Sequence, residues 1–399
     1  MKEGWEAQSI ASFAKTGAGG TPKKSTKAFY EGGNIPWLLT GEVANANIVE
    51  AKNSITPEGL KGSSAKLFPA NSVLVAMYGA TAGQVGILRF EAATNQAVCA
   101  ILPSDQHIPE YLYYYLLHAK PSLVAQAVGN AQPNISQAKI KSLEIPLPPL
   151  EEQQRIVAVL DEAFEGLARA RAHAEANLQN ARELLAVSLD QIFGCDDPSW
   201  KTGSLSELCV IGDGNHSSKY PKKSEMVNEG IPFLRSSNIQ NGEIDQDEML
   251  YITEEKHAEL KKGHLKAGDV LFTNRGEIGK VAIIPEDLEG ANLNSQVAWL
   301  RCKAEIEHRF LFYFLQSGRM KRHYLDTQSG AALQQFTIKM LKAVSVSYPS
   351  HPEQEAAVVR IETIQNEISR LVTAYQSAAQ GLDDLRQSLL QKAFAGELT

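Results

Sequence analysis

The chain has 399 residues and a net charge of −7, more length than one ordinary core uses, so two or three domains are expected. Its four cysteines (Cys99, Cys195, Cys209, Cys302) form no CxxC pair, which argues against a zinc site or a secreted disulfide framework and for a reducing, cytoplasmic setting. No apolar stretch approaches about 18 residues and no early basic and apolar run leads to a cleavage site, so neither membrane spanning nor export is expected.

Residues 1–147 are predicted to form a globular domain of short strands and helices. A turn-rich opening carries Lys23 and Lys24, and a strand-like run, IPWLLTGEV, places Thr40 and Gly41 just beyond its apolar residues. SVLVAMYG (Ser72 to Gly79) reads as a strand ending in glycine, and the turn after it bears Tyr78, Thr81 and Gln84. GATAGQVG within that turn lacks the spacing of a phosphate-binding glycine loop and is expected to be a β-turn. Asn95 and Gln96 stand in the next polar break, YLYYYLLH (Tyr111 to His118) reads as a core helix, and Asn134 precedes the last strand. Tyr, Thr, Asn and Gln on such turns suit the reading of base edges, Asn and Gln fitting adenine.

Residues 148–198 are predicted to be one long helix, opened by IPLPPLEEQ (Ile145 to Gln153), with Pro146, Pro148 and Pro149 marking the junction. Its stripe of Ile156, Leu160, Ala163, Leu167, Ala170, Ala174, Leu178, Ala181, Leu185 and Ile192 is rich in alanine, which permits close approach of a partner helix.

Residues 199–349 repeat the first domain. IPFLRSSNI (Ile231 to Ile239) answers Ile35 to Val43 and brings Arg235, Ser236, Ser237 and Asn238; DVLFTNRG (Asp269 to Gly276) answers the glycine-ended strand and brings Asn274, Arg275 and Lys280. Asn294, Ser295 and Gln296 answer Asn95 and Gln96, and Gln334 and Gln335 answer Asn134. His216 and Lys219, in DGNHSSKYP, are further contact candidates, with a turn or DNA contact favoured over a metal site for Asp213 and His216. FLFYFLQ (Phe310 to Gln316) is a second core helix, and Arg319, Lys321 and Arg322 at its end suit phosphates or a helix cap. Arg275, on the glycine turn, suits guanine.

Residues 350–399 are predicted to form the second long helix, opened by VSYPSHPEQ (Val346 to Gln354), 201 residues after the first copy of that motif, with Pro349 and Pro352 at its junction. Ile361, Ile364, Ile368, Leu371, Tyr375, Ala378, Leu382, Leu385 and Leu389 make a heptad seam. The same offset sets Gly129 on Gly330, Lys141 on Lys342 and Phe193 on Phe394, so the chain is two homologous halves. The expected class is α+β: two homologous globular domains joined by two long helices in an antiparallel coiled coil with internal pseudo-twofold symmetry. Each helix of some 44 residues would span about 66 Å. The acidity lies in the helical stretches, and the globular parts are close to neutral, so DNA binding by them is open despite the net charge.

Little suggests catalysis. Asp269, Glu277 and Lys280 invite comparison with a metal-dependent nuclease triad, but two residues separate the Glu and Lys, and the first half offers only Ser72, Ala80 and Gln84 in their place. No metal site, NPPY-type methyltransferase motif or nucleotide loop is recognised.

The openings GGTP…GGNIPWLLTGEV and GDGNHSSKYP…GIPFLRSSNIQNG, the IPLPPLEEQ junction and the ending LLQKAFAGEL together resemble the specificity subunits of type I restriction-modification systems over the full length of the chain. The resemblance implies two target recognition domains, each reading half of an interrupted DNA target. It also implies two methyltransferase subunits docked on the helices and restriction or motor subunits beyond them. S-adenosylmethionine, ATP and Mg would belong to those partners, with none bound by this chain. Unlike residues at Thr40 and Gly41 against Ser236 and Ser237 lead us to expect an asymmetric target, and the helices to set a spacer of at most about 19 base pairs. A non-enzymatic coiled-coil scaffold that never touches DNA is the rival reading.

Overall fold

The computed structural model describes residues 2, 4–44, 46–125, 134–194, 197–215, 220–328 and 335–399. Two compact units are present, Met1–Ala174 with Ser377–Thr399, and Glu175–Gln376, so their boundaries fall inside the two long helices, Leu150–Phe193 and His351–Ala395.

The halves repeat one topology. In the first unit, Thr16–Ala18, Val98–Ile101, Val73–Ala76 and Val85–Leu88 lie side by side, with Asn47–Ile48 added at the edge. In the second, Cys209–Asp213, Val297–Cys302, Val270–Thr273 and Val281–Ile283 take the same order. The central strands are buried on both faces, which is why they read as unbroken apolar runs rather than alternating ones. A smaller sheet in each unit pairs Ile35–Leu38 with Asn53–Ile55 and Ala92–Thr94, or Ile231–Leu234 with Leu250–Ile252 and Asn292–Leu293. The aromatic helices are core as expected: Tyr111, Leu112, Tyr114 and Leu116 are buried in one unit, Phe310, Leu311, Tyr313, Phe314 and Leu315 in the other.

The repeated junction motif has a physical cause in its last residue. Gln153 is fully buried; its amide donates to Gln106 O and Pro148 O, both at 2.9 Å, and its Oε1 accepts from the Ile108 N–H at 3.0 Å. Gln354 does the same, donating to Glu305 O and Pro349 O at 3.0 Å and accepting from the Glu307 N–H at 2.9 Å. Each glutamine satisfies main-chain groups that burial at the start of a long helix would otherwise leave unpaired.

The helices run antiparallel within each unit. Ile156 and Leu160 share a core with Leu390, Ala393 and Phe394, while Leu189 and Phe193 share one with Val358 and Ile361. Arg171 meets Asp383 at 2.6 Å. The heptad seam is only partly covered: Ile361 and Ile368 are buried, but Leu371 and Leu385 remain 39% and 47% exposed. An α-helix drifts about 20° per heptad against a strict seven-residue repeat, so some seam positions rotate out of a two-helix contact.

His107 is buried in the first unit, its Nδ1 2.8 Å from the Ser104 hydroxyl and its ring edge-on to Phe13. Burial pushes the imidazole down to about 4. Its folded value is the lower one, so the unfolded chain binds the extra proton. The stability this residue contributes is therefore full above about pH 6.5 and is lost as pH falls towards 4, by about 3 kcal/mol. His107→Phe is expected to flatten the unfolding free energy measured in urea across that window; an unchanged slope would assign the acid sensitivity elsewhere.

Candidate nucleic-acid interface

At one edge of the sheets, main-chain hydrogen bonds gather segments far apart in sequence. In the first unit the Asn95 N–H donates to Leu38 O (2.9 Å), Met77 to Ala97 O (2.8 Å) and Ile135 to Met77 O (2.9 Å). In the second, Asn294 donates to Leu234 O (2.9 Å), Asn274 to Gln296 O (3.0 Å) and Phe336 to Asn274 O (2.9 Å). Tyr78 bridges Asn134, and Arg275 bridges Gln335. One cluster thus assembles Thr40, Tyr78, Asn95, Gln96 and Asn134, and the other Arg235, Ser236, Asn274, Arg275, Asn294, Gln296 and Gln335.

The glycine turn is built alike in both. Gly79 (φ +72°) and Gly276 (φ +75°) have no atom within 4 Å of an added Cβ, so the left-handed backbone, not crowding, favours glycine there. Gly79–Thr81 forms one turn of 3-10 helix where a β-turn is predicted. The next strand returns through Ala76 N–H to Gln84 O and Thr273 N–H to Lys280 O, both 2.9 Å, making Gln84 and Lys280 counterparts beside Thr81 and Glu277. Lys280 pairs with Glu277 and holds that carboxyl below its usual range.

Several candidates have other duties. Asn95 Oδ1 accepts from the Ala97 N–H (3.2 Å), and Asn294 Oδ1 from the Gln296 N–H (3.1 Å). These two asparagines therefore shape the turns that present the exposed Gln96 and Gln296. Ser236 donates to Gln296 Oε1 at 3.0 Å. Gln96 accepts from the Thr21 hydroxyl, at the root of the loop that carries the exposed Lys23 and Lys24. Thr21 escaped the sequence reading; its one signal was its place beside those lysines.

Asn238 is a correction. It is 2% exposed, accepts from the Arg235 N–H at 3.0 Å and donates to Asp245 O at 3.1 Å, so it staples its own turn. Arg319 and Arg322 also address the long helix: Arg319 donates to Phe193 O at 3.4 Å, and the largely exposed Arg322 lies 3.7 Å from Asp190. The aromatic helix breaks at Ser317, and the Gly318 N–H donates to Asp190 Oδ1 at 2.7 Å, bringing Arg322 beside that carboxylate. His216, Lys219 and Gln334 lie outside the described residues.

The nuclease comparison meets a committed carboxylate. Asp269 is 1% exposed and accepts from Arg301 Nε (2.8 Å), Arg301 Nη2 (2.7 Å) and the Lys266 N–H (2.8 Å). Asp213 faces Lys262 at 2.9 Å. Among the described residues, no three His, Cys, Asp or Glu side chains are grouped to hold a metal, and no helix is long and apolar enough to cross a membrane.

Four buried side-chain atoms on these turns have no hydrogen-bond partner: Gln84 Oε1, Arg235 Nε, Asn274 Oδ1 and Arg275 Nε. Orphaned buried polar atoms are costly, and besides His107 Nε2, His257 Nδ1 and Trp299 Nε1 the orphaned atoms among the described residues lie on these turns, one in the first unit and three in the second.

A family model described as the type I restriction modification DNA specificity domain matches residues 2–173 and again 198–375. The chain is 23% identical to the MjaIX type I restriction enzyme specificity subunit of Methanocaldococcus jannaschii, over 99% of this chain and 93% of that one. It is 26% identical to the EcoKI specificity subunit of Escherichia coli, over 100% and 90%. The fold is similar to a structure described as addressing complex assembly and conformational transition of the type I R-M system (TM-score 0.79, 21% identity, covering 100% of this chain and 99% of that one). It is also similar to the HsdS subunit from Thermoanaerobacter tengcongensis (TM-score 0.65, 22% identity, covering 100% and 98%).

Proposed function

The chain belongs to the type I restriction modification DNA specificity family, and from that membership we propose that it is the sequence reader of a restriction-modification complex, each unit recognising one half of an interrupted, asymmetric DNA target. The observation that carries this reading is the pair of matching turn clusters whose buried polar atoms lack partners, Gln84 in one unit and Arg235, Asn274 and Arg275 in the other. Unlike side chains at matching positions, Tyr78 against Arg275 and Gln84 against Lys280, make the two half-sites different. The chain supplies address and scaffold. Methyltransferase subunits dock on the long helices and bring S-adenosylmethionine for adenine N6 methylation; motor subunits bring ATP and Mg.

The test is a methylome of host DNA with and without this gene, the partner methyltransferase being present. Loss of one bipartite, asymmetric N6-methyladenine motif is expected. An unchanged methylome would favour a scaffold that does not read DNA.

Within that reading Arg275 is a base contact. Arg275→Ala is expected to cost about 1–3 kcal/mol of binding to the cognate duplex and to relax preference at one base position. Unchanged preference in a competition-binding series would remove Arg275 from the reading set.

A further inference from the structure

Beside the glycine turn of the second unit lies a cleft of about 420 Å³, closed on one side by the long helix Leu150–Phe193. Arg182 on that helix, Lys321 on the helix Gly318–Gln328 and Lys280 on the turn converge on it, with Asn241, Gln316 and Gln365 as neutral neighbours. Among the described residues no Asp or Glu lines it. Lys280 is paired with Glu277, but Arg182 and Lys321 are exposed and have no ion-pair partner among the described residues.

The shared fold does not need two of these three charges. The counterpart of Lys280 in the first unit is Gln84, and the repeat offset of 201 that sets Phe193 on Phe394 sets Arg182 on Asp383, which is paired with Arg171. Two unpaired cations across a cleft without carboxylates, continuous through Lys280 with a turn that bears orphaned polar atoms, form a subsite for an anion beside the reading edge.

Resting on the function proposed above, we propose that this cleft holds the DNA backbone, with Arg182 and Lys321 contacting phosphates next to the half-site read by the second unit. The contact positions the duplex and carries no sequence information, and the first unit has no cation at the counterparts of Arg182 and Lys280, so the two half-sites are gripped unequally.

The experiment measures binding of the purified full-length chain to a random-sequence duplex across a potassium chloride series, and the sequence enriched from a random pool. Arg182→Gln with Lys321→Gln should lower the slope of log affinity against log salt by roughly 1.8, about 0.9 per lost phosphate contact. The enriched sequence should stay the same, and Arg182→Lys alone should retain the full slope. Both positions are exposed, and a thermal melt verifies that the variants fold. If the unsubstituted chain binds no duplex at low salt either alone or with its methyltransferase subunits, the reading function itself fails; if it binds only in that complex, the salt series is run on the complex. If it binds and the double variant keeps the slope, or enriches a different sequence, the backbone assignment is overturned while the reading function stands.

Discussion

Truncating Phe193 or Phe394 to alanine is expected to lower the stability of the chain by about 3–5 kcal/mol each, read as a fall in the urea midpoint. The two rings are 2% and 6% exposed. Phe193 sits edge-on to Phe310 and Phe314, with centroids at 5.1 and 5.8 Å, and Phe394 meets Tyr111 and Tyr115 at 5.4 and 5.0 Å. Each ends a long helix and seats it on an aromatic helix, so alanine loses transfer energy, ring contacts and the anchor together. Hydrogen exchange should rise around residues 310–314 in the first variant and around 111–115 in the second. A loss below about 1 kcal/mol would mean that the helix ends are not held by these rings.

Arg301→Ala is expected to cost about 3 kcal/mol, because it leaves the Asp269 carboxylate buried and deprived of its cation. The guanidinium is a third exposed, which keeps the figure at the lower end for broken buried pairs. Asp269→Asn in the same chain should recover part of the loss, since an amide oxygen still accepts from the Lys266 N–H. The strand that follows Asp269, Val270–Thr273, leads directly into Asn274 and Arg275, so the single variant is also expected to bind cognate DNA more weakly. A double variant as unstable as Arg301→Ala alone would show that packing of the guanidinium over Trp299, not the charge, is what was lost.

Much of this architecture is legible in the sequence because it is written twice. The junction motif, the glycine at the end of a strand and Phe193 with Phe394 recur at matching offsets, and each recurrence has a local physical cause: a buried glutamine serving main-chain groups, a positive φ, a ring in a socket. What was illegible depends on where distant segments meet. Asn238 looks like any turn asparagine until Asp245 is found accepting its amide, and the sequence does not report that Arg322 comes to lie beside Asp190. Cys209 and Cys302, far apart in the chain and read as unrelated, stand opposite each other on neighbouring strands. The partial exposure of Leu371 and Leu385 follows from helix rotation, which the heptad spacing alone does not report.

The lacing of the turn clusters by main-chain hydrogen bonds bears on how such a protein changes over generations. Bonds such as Asn274 N–H to Gln296 O or Ile135 N–H to Met77 O form whatever side chain the residue carries. Tyr78, Gln96, Arg275 or Gln296 can thus be exchanged without the turn losing its scaffold, whereas Asn95 and Asn294, whose side chains build it, cannot. Side-chain change is thus confined to tolerant positions, leaving the fold as an inherited constant.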